Sequence, residues 1–285
     1  MISILAPAKV NLTLRILAKR PDGYHEIESL VQKVGLYDRI TLSENPGGGI
    51  ELSCSDSDLP TGPENIAYRA AEIFRETMDV TTGIGIHLEK KIPHGGGLGG
   101  GSSDAAAVLM GLSLLWDLVP QREMTLRMAQ RLGSDVALFL HPSPAVITGR
   151  GEIVRPAGFG LNAVYVIVYP GFPVSTEEAY SNFRLTKIPG NYTISKPYGT
   201  VDGHPPPDRW CDLLFNDLED SVLQDHPVIA QCKELLLTYG ARASLMSGSG
   251  SAVFGLFEDR AASERAARRI RGDGFKAWSV LPIFD

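Results

Sequence analysis

Cysteine is scarce in this sequence, with three residues among 285. Cys54, Cys211 and Cys232 lie far apart, so they predict neither a disulfide framework nor the paired spacing of a metal site. Structural disulfides belong to oxidising compartments, whereas scattered single cysteines are usual in reduced ones. We therefore expect a protein of the reduced cytoplasm.

Long apolar runs and an excess of positive charge are also missing. No stretch approaches the roughly 18 consecutive apolar residues that a membrane-crossing helix needs. Lys9 and Asn11 interrupt the first apolar run, which argues against a signal peptide. The net charge of −6 argues against a general nucleic-acid or membrane-surface binder. With 44% apolar residues, the chain predicts two globular domains and no nucleic-acid or membrane partner.

Glycine is abundant in one place, where it fills six of the seven positions from Gly95 to Gly101. Such a run predicts a loop, because glycine loses the most backbone entropy in a helix or strand. The segment after Asp104 is rich in alanine and predicts a helix. Free N–H groups at a helix start bind anions, so this loop is predicted to bind phosphate. Its residues are Pro93, His94, Gly95, Gly96, Gly97, Leu98, Gly99, Gly100, Gly101, Ser102 and Ser103.

Other kinds of glycine-rich loop fit this stretch less well. A Walker A loop needs Lys-Ser or Lys-Thr after its last glycine, which this loop lacks. The dinucleotide spacing is met by Gly95, Gly97 and Gly100, but the preceding segment 84–90 alternates like a half-exposed strand. A flexible linker is the remaining alternative, although linkers seldom lead into a well-formed apolar helix.

The form Pro-x-x-x-Gly-Leu-Gly-x-x-Ser-Ser before an alanine-rich helix resembles the second motif of one kinase superfamily. Its members are galactokinase, homoserine kinase, mevalonate kinase and phosphomevalonate kinase, in which this loop wraps the phosphates of ATP. The segment 240–257 resembles the third motif, which packs beside the loop, though its residues alone predict only a glycine hairpin. The resemblance implies an ATP-dependent small-molecule kinase, with Mg²⁺ offsetting the triphosphate charge.

The same resemblance implies an α+β fold of two domains. Residues 1–150 would form an N-terminal α/β domain similar to a ribosomal-protein domain, which binds ATP and substrate and contains the phosphate loop at 93–104. Residues 151–285 would form a ferredoxin-like C-terminal domain, with the active site in the cleft between the two. The sequence leaves open whether the chain is a monomer or a homodimer, and which residues ligate a metal.

Lys9 and Asp135 are the candidate catalytic residues. Lys9 and Asn11 share one face of a predicted strand, where the pattern alone favours exposure to solvent. Asp135 precedes an apolar segment, a position that is typical of a helix N-cap. In the superfamily, an acid in a Gly-x-Asp-Val segment faces the acceptor hydroxyl. The resemblance therefore implies that Asp135 takes the hydroxyl proton, while Lys9 across the cleft keeps it ionised and stabilises the developing charge.

A Pro-Asp-Gly turn leads into Tyr24 and His25, a pair that by itself is usually plain surface. Together with the segment 6–12, this pair resembles one branch of the superfamily. That branch phosphorylates a cytidine-diphosphate-linked methylerythritol in the non-mevalonate isoprenoid pathway, which implies a small-molecule cytidine-diphosphate substrate. The residues implied to orient it or to form its aromatic walls are Asn11, Tyr24, His25 and Tyr180.

Several assignments keep an alternative. A sibling kinase for homoserine, mevalonate or a sugar would not need the Tyr-His pair, and a nucleotide sensor on the same fold would bind ATP without turnover. Phe172 is a second candidate for an aromatic wall, and Asp104 is assigned to the helix dipole, with a metal role as its alternative. The segment 187–209 predicts no regular structure, and the arginine-rich segment 261–271 predicts a solvated helix face.

Overall fold

The computed structural model describes residues 1–183 and 205–284, which form two compact units. The first unit takes in residues 1–8, 36–92 and 99–141, and the second takes in residues 9–35, 93–98 and 142 onward. The predicted irregular segment 187–209 lies outside the described residues except at 205–209. There the prediction is wrong in one detail, because Pro207–Arg209 form a single 3-10 turn.

Strand order separates two segments of the first unit that the sequence suggested would pair. The segments 38–42 and 50–54 flank a polar glycine-rich turn, so the sequence predicts that they form a hairpin. They lie in strand β3 (His25–Asn45) and strand β4 (Ile50–Cys54). Strand β5 (Gly83–Glu89) instead lies between them, antiparallel to β3 from Arg39↔Glu89 onward and parallel to β4 from Ile50↔Ile84 onward. The hairpin prediction is therefore wrong. The parallel strands β4 and β5 need a longer connection between them than a hairpin turn provides.

A helix connects β4 to β5, and other helices complete the first unit. Helix α1 (Ile66–Met78) begins at Asn65, whose side chain accepts the Ala67 N–H, and it buries Phe74, as its amphipathic pattern predicted. Helix α2 (Gly100–Leu115) begins within the glycine run and packs on α1. The remaining helices of this unit complete the set: α3 (Arg122–Leu132) and α4 (Val136–Phe139).

The N-terminal strands run longer than predicted. In the sequence, Pro7 predicts a break within the apolar alternation of residues 2–17. Strand β1 (Ile2–Asn11) continues through Pro7, so that prediction is wrong. The interruption falls at Leu12, whose N–H donates to the Leu30 carbonyl before β2 (Thr13–Lys19) begins. In the second unit β2 is antiparallel to the first part of β3. Strand β6 (Ala145–Gly149) is also antiparallel to β3, from Ile27↔Gly149 to Val31↔Ala145.

A four-stranded antiparallel sheet forms the other part of the second unit. Its strands lie in the order β10 (Ala243–Met246), β11 (Val253–Phe257), β8 (Val164–Tyr169) and β12 (Lys276–Val280). Helices α7 (Pro227–Thr238) and α8 (Arg260–Gly272) pack on this sheet. Every residue of β8 is buried, as its continuous apolar run predicted. The other elements of this unit are β7 (Ile153–Pro156), α5 (Thr176–Asn182), β9 (Phe215–Asn216) and α6 (Glu219–Asp225).

Two surface features follow from this architecture. The arginines of α8 are exposed while Ala266 and Ile270 face the sheet, so the predicted solvated helix face is confirmed. Within residues 1–183 and 205–284, no helix combines the length and hydrophobicity needed to cross a bilayer. The mixture of antiparallel strands and separate helices confirms the predicted α+β class.

Candidate active site

The first half of the glycine loop, residues 93–98, is held by contacts within the second unit. The Ser247 hydroxyl donates to the Gly97 carbonyl at 3.0 Å, and the Lys9 N–H donates to the Leu98 carbonyl at 2.9 Å. Gly97 has a φ of 71°, and a Cβ at that position would lie 2.1 Å from the Ser247 carbonyl oxygen. Only glycine therefore fits at this position.

Lys9 and Asn11 are both buried, so the solvent-exposed strand face that their pattern favoured is wrong. The Lys9 ammonium donates to Asn11 Oδ1 at 2.6 Å, and Asn11 Nδ2 donates to the Ser29 hydroxyl at 2.8 Å. A Cβ on Gly248 would lie 3.3 Å from Lys9 Nζ and 3.2 Å from Asn11 Oδ1. This arrangement brings the lysine, the phosphate loop and the predicted third motif together in the second unit.

An asparagine that carried no site assignment holds the third motif in shape. Asn216 Nδ2 donates to the carbonyls of Met246 and Gly248, at 2.9 and 2.7 Å. Glu219, at the start of α6, accepts the Met246 N–H at 2.8 Å and pairs with Lys233. Asn-Asp-Leu-Glu can be read in the sequence as the start of a capped helix. Its contact with the glycine-serine turn depends on folding.

The second half of the loop belongs to the first unit and merges into α2. The helix begins at Gly100, earlier than predicted, so Gly100, Gly101, Ser102 and Ser103 form its first turn. Gly99 occupies the N-cap position in a left-handed conformation and has no side chain to cap the turn. The first N–H groups of a helix have no partner inside it, and here they are presented on a glycine backbone. Such a helix start is suited to an anion.

Asp135 lies in the first unit at the N-cap position of α4. Its φ of −81° and ψ of −8° are helical, and its side chain makes no capping hydrogen bond. An N-cap that stabilises a helix normally has extended backbone and accepts an N–H from two or three residues later. The geometry therefore argues against capping as the role of this half-buried carboxylate.

Aromatic residues from distant parts of the second unit meet where the Tyr-His pair was predicted to bind substrate. The rings of His25 and Tyr180 stack with centroids 5.2 Å apart and planes 30° apart. The Arg150 guanidinium lies 4.7 Å from the centroid of the Tyr24 ring, which is 56% exposed. Phe172, the second candidate for an aromatic wall, packs its ring against His226 at 5.4 Å.

The surroundings of His25 favour the neutral form of its imidazole. Burial, and to a smaller extent the positive charge of Lys19, lowers the pKa of His25. A neutral imidazole has one donor and one acceptor nitrogen. It can therefore form hydrogen bonds to the edge of a heterocyclic base at neutral pH.

A buried charged cluster in the first unit had not been predicted as such. Lys90 Nζ lies 2.5 Å from a carboxylate oxygen of Asp38 and 2.5 Å from one of Asp104, and the three side chains are at most 6% exposed. Burial, with the negative charge of Asp38 adding to it, raises the pKa of Asp104 to about 7 despite the neighbouring lysine. Two carboxylates share one ammonium group, so protonation of one of them leaves a neutral cluster.

This raised pKa predicts a pH-dependent stability. An aspartate in the unfolded chain titrates near 4, so between about pH 4 and pH 7 the folded protein binds more protons at Asp104 than the unfolded chain does. The contribution of this group to the free energy of unfolding therefore falls as pH rises through that window. The asparagine of Asp104→Asn cannot ionise. In urea unfolding, the free energy of unfolding of the variant should therefore increase relative to that of the parent from pH 5 to pH 8. An equal difference at both pH values would contradict the prediction.

Two family models match the chain on either side of its middle. The model described as GHMP kinases N terminal domain matches residues 65–143, and the one described as GHMP kinases C terminal matches residues 207–276. A crystal structure of mevalonate kinase superposes with a TM-score of 0.75 over all of both chains at 13% identity, which shows the shared fold. The fold and the two matches define the class as GHMP kinases.

Relatives with higher identity narrow the class. A 4-diphosphocytidyl-2-C-methyl-D-erythritol kinase of Syntrophotalea carbinolica is 44% identical over the full length of both chains. One of Brevibacillus brevis is 39% identical over 95% of this chain and 92% of its own. A crystal structure of 4-(cytidine 5'-diphospho)-2C-methyl-D-erythritol kinase matches with a TM-score of 0.82 and 35% identity, covering 99% of this chain and 100% of the other. The chain therefore belongs to the 4-diphosphocytidyl-2-C-methyl-D-erythritol kinase family.

Proposed function

We propose that this protein transfers the γ-phosphoryl group of ATP to the 2-hydroxyl of 4-diphosphocytidyl-2-C-methyl-D-erythritol. The products are the 2-phosphate and ADP, and the reaction belongs to the non-mevalonate route to isoprenoid precursors. The observation that carries this proposal is the 44% identity, over the whole chain, to a relative of that name. The stack of His25 on Tyr180 supports the cytidyl specificity, because sibling kinases have no base to bind there.

ATP is assigned to the glycine loop. Phosphoryl transfer depends mostly on positioning and on stabilising charge, so the catalytic contribution of a phosphate loop comes from N–H groups that are already aligned. Residues 95–98 are held against Ser247, and residues 99–103 form the uncapped start of α2. The sequence assigns the triphosphate to the N–H groups from Gly95 to Ser103, but the Ser103 N–H already donates to the Gly99 carbonyl at 2.9 Å. We therefore assign the triphosphate to the N–H groups from Gly95 to Ser102.

Magnesium fits this site as an ion that is bound mainly by phosphate. Mg²⁺ usually keeps few protein ligands when phosphates are available, and no group of three acidic, cysteine or histidine side chains converges among residues 1–183 and 205–284. Within that part of the chain, the Ser103 hydroxyl is buried without a hydrogen-bond partner, so its oxygen is available as a ligand. The bound ion would offset the charge on the β- and γ-phosphates.

Asp135 and Lys9 are assigned to the chemical step. The acceptor oxygen forms a bond to the γ-phosphorus while the bond to the β,γ-bridging oxygen breaks and ADP leaves. The hydroxyl proton goes to the Asp135 carboxylate, which acts as the general base. The Lys9 ammonium, held at 2.6 Å by Asn11, stabilises the negative charge that develops during transfer.

The cytidyl group is assigned to Tyr24, His25, Tyr180 and Asn11. An aromatic ring binds a pyrimidine by stacking, and the neutral His25 imidazole can donate to or accept from its edge. Asn11 already contacts Lys9 and Ser29, and its amide retains one N–H and one lone pair with which to orient the substrate. In this assignment Asn11 both holds the Lys9 ammonium and orients the cytidyl substrate.

The domain assignment also stands as a proposal. We propose an ATP- and substrate-binding domain at residues 1–150 and a ferredoxin-like domain at residues 151–285. It is supported by the two family-model matches, which fall on either side of residue 150. Residues of the two compact units alternate along the chain, so they do not coincide with these sequence ranges. A cytoplasmic monomer or homodimer that acts on small molecules is the form that we propose for the whole protein.

A substrate panel tests the proposed function. ADP release is followed with ATP and Mg²⁺ and, in turn, the cytidyl methylerythritol, homoserine and mevalonate. We expect turnover with the cytidyl alcohol at least about 100-fold faster than with the other two, since a site built to hydrogen-bond a base discriminates strongly against its absence. Faster turnover of a non-cytidyl alcohol would assign a sibling kinase, and ATP binding with no turnover would indicate a sensor.

His25→Ala should weaken binding of the cytidyl substrate. Loss of a base hydrogen bond and of the stack on Tyr180 should raise the KM for that substrate about tenfold, while the KM for ATP stays within twofold. His87→Ala, which removes an exposed imidazole from β5, is the matched control and should leave both constants unchanged. Equal effects on the two KM values would remove His25 from the cytidyl site.

A further inference from the structure

The two ends of the phosphate loop converge on one buried carboxylate in the first unit. Asp38 Oδ1 accepts the backbone N–H of Lys91 at 2.5 Å and that of Ile92 at 2.9 Å, immediately before the loop. Asp38 Oδ2 pairs with Lys90, which in turn holds Asp104 in α2, immediately after the loop. The Asp38 side chain has no exposed surface.

The start of α2 lies directly against the same carboxylate. A Cβ added to Gly100 would meet the Ile92 side chain at 2.9 Å and Asp38 Oδ2 at 3.5 Å. The backbone at the first residue of the helix is therefore close to both the acid and the residue before the loop. A side chain at position 100 would separate them.

We propose that Asp38 is a positioning residue that joins the two ends of the phosphate loop and so sets the spacing of its N–H groups. The inference rests on the proposed function in one respect, namely that the loop binds the triphosphate. Hydrogen bonds to a carboxylate are about twice as strong as neutral ones, and burial protects these from competition by water. A loop with fixed ends has less conformational freedom to lose when it binds a ligand.

A purely structural role for Asp38 would affect stability alone, so the experiment separates stability from nucleotide binding. Asp38→Asn keeps the shape and one acceptor oxygen but removes the charge. We expect the dissociation constant for ADP, measured by titration calorimetry, to rise about tenfold. The KM for the cytidyl alcohol should stay within twofold. ADP binding needs no acceptor alcohol, so this arm stays informative if the proposed substrate is wrong.

Leu42→Ala is the matched control, because Leu42 is a fully buried residue of the same strand. It should lower the melting temperature strongly through the cavity it creates, while ADP affinity stays within twofold of the parent. Asp104→Asn should also bind ADP within about threefold of the parent, since its amide still accepts from Lys90 and the acid itself contacts no loop N–H. If Asp38→Asn binds ADP as tightly as Leu42→Ala does, the proposal is overturned.

A second variant covers the case in which Asp38→Asn does not fold. The double change Lys90→Gln with Asp104→Asn leaves one carboxylate in the cluster, so its formal net charge of −1 is the same as in the parent. It replaces the two ion pairs that link Asp38 to α2 with hydrogen bonds made by neutral amides. ADP affinity should fall at least about threefold, and an unchanged affinity would overturn the proposal by this route.

Discussion

Asp135→Asn is expected to lower kcat with the cytidyl substrate by about 10²–10⁴-fold, the usual contribution of a general base. Asparagine has nearly the same shape as aspartate but cannot take the hydroxyl proton. Stability is measured beside the rate, so that a loss of kcat can be told apart from a loss of folded protein. The measurement is steady-state ADP release at saturating concentrations of both substrates, together with urea unfolding of parent and variant.

Asp117→Asn is the control for this prediction. Asp117 is an exposed acid of the same unit whose φ of 52° asparagine tolerates well, so both rate and stability should match those of the parent. A variant at position 135 that keeps more than about a tenth of the parental kcat would exclude Asp135 as the base. Asparagine caps a helix about as well as aspartate, so Asp135→Ala tests the capping role. Normal kcat in both variants, with about 1 kcal/mol of stability lost in Asp135→Ala alone, would favour capping instead.

Gly97→Ala should destabilise the protein by about 2–5 kcal/mol and abolish tight ADP binding. Two effects combine at this position. The left-handed φ of 71° is unfavourable for alanine by about 1–2 kcal/mol. The new Cβ would also overlap the Ser247 carbonyl oxygen at 2.1 Å, which forces the loop and the third motif apart. Urea unfolding gives the stability, and calorimetric titration with ADP gives the affinity.

Gly274→Ala separates the two effects. Gly274 lies in the same unit with a φ of 95°, and no heavy atom lies within 4 Å of the position that a Cβ would take. Gly274→Ala should therefore destabilise the protein only by the roughly 1–2 kcal/mol of backbone strain, and it should bind ADP with the parental affinity. If Gly97→Ala is as stable as Gly274→Ala, the predicted clash of the new Cβ with the Ser247 carbonyl is contradicted.

The local elements around the site could be predicted because they depend on neighbours in the sequence. Six glycines in seven positions exclude a helix or strand interior, and the alanine-rich stretch after them favours a helix. Helix α2 confirms this, although it starts at Gly100, because Gly99 takes a left-handed conformation that ends the loop earlier. The motif residues that pointed to the kinase superfamily were likewise contiguous and needed no tertiary information.

Predictions that depended on pairing were less successful. Strands β3 and β4 are joined by a turn that is typical of a hairpin, yet β5 pairs with both. The sequence of the turn cannot reveal that a segment more than 30 residues later pairs more favourably with both strands. The exposed strand face expected for Lys9 and Asn11 failed for a similar reason, since Gly248 and Ser29 cover these side chains from distant parts of the chain.

The sequence by itself determined the chemical groups, the local helices and strands and the family to which they belong. Tertiary structure alone decided which groups meet: Gly97 with Ser247, His25 with Tyr180, and Asp38 with both ends of the phosphate loop. No sequence pattern links Asp38, in strand β3, with Lys90, which directly follows strand β5. Such contacts depend on how the whole chain packs, whereas propensity and periodicity depend only on residues a few positions apart.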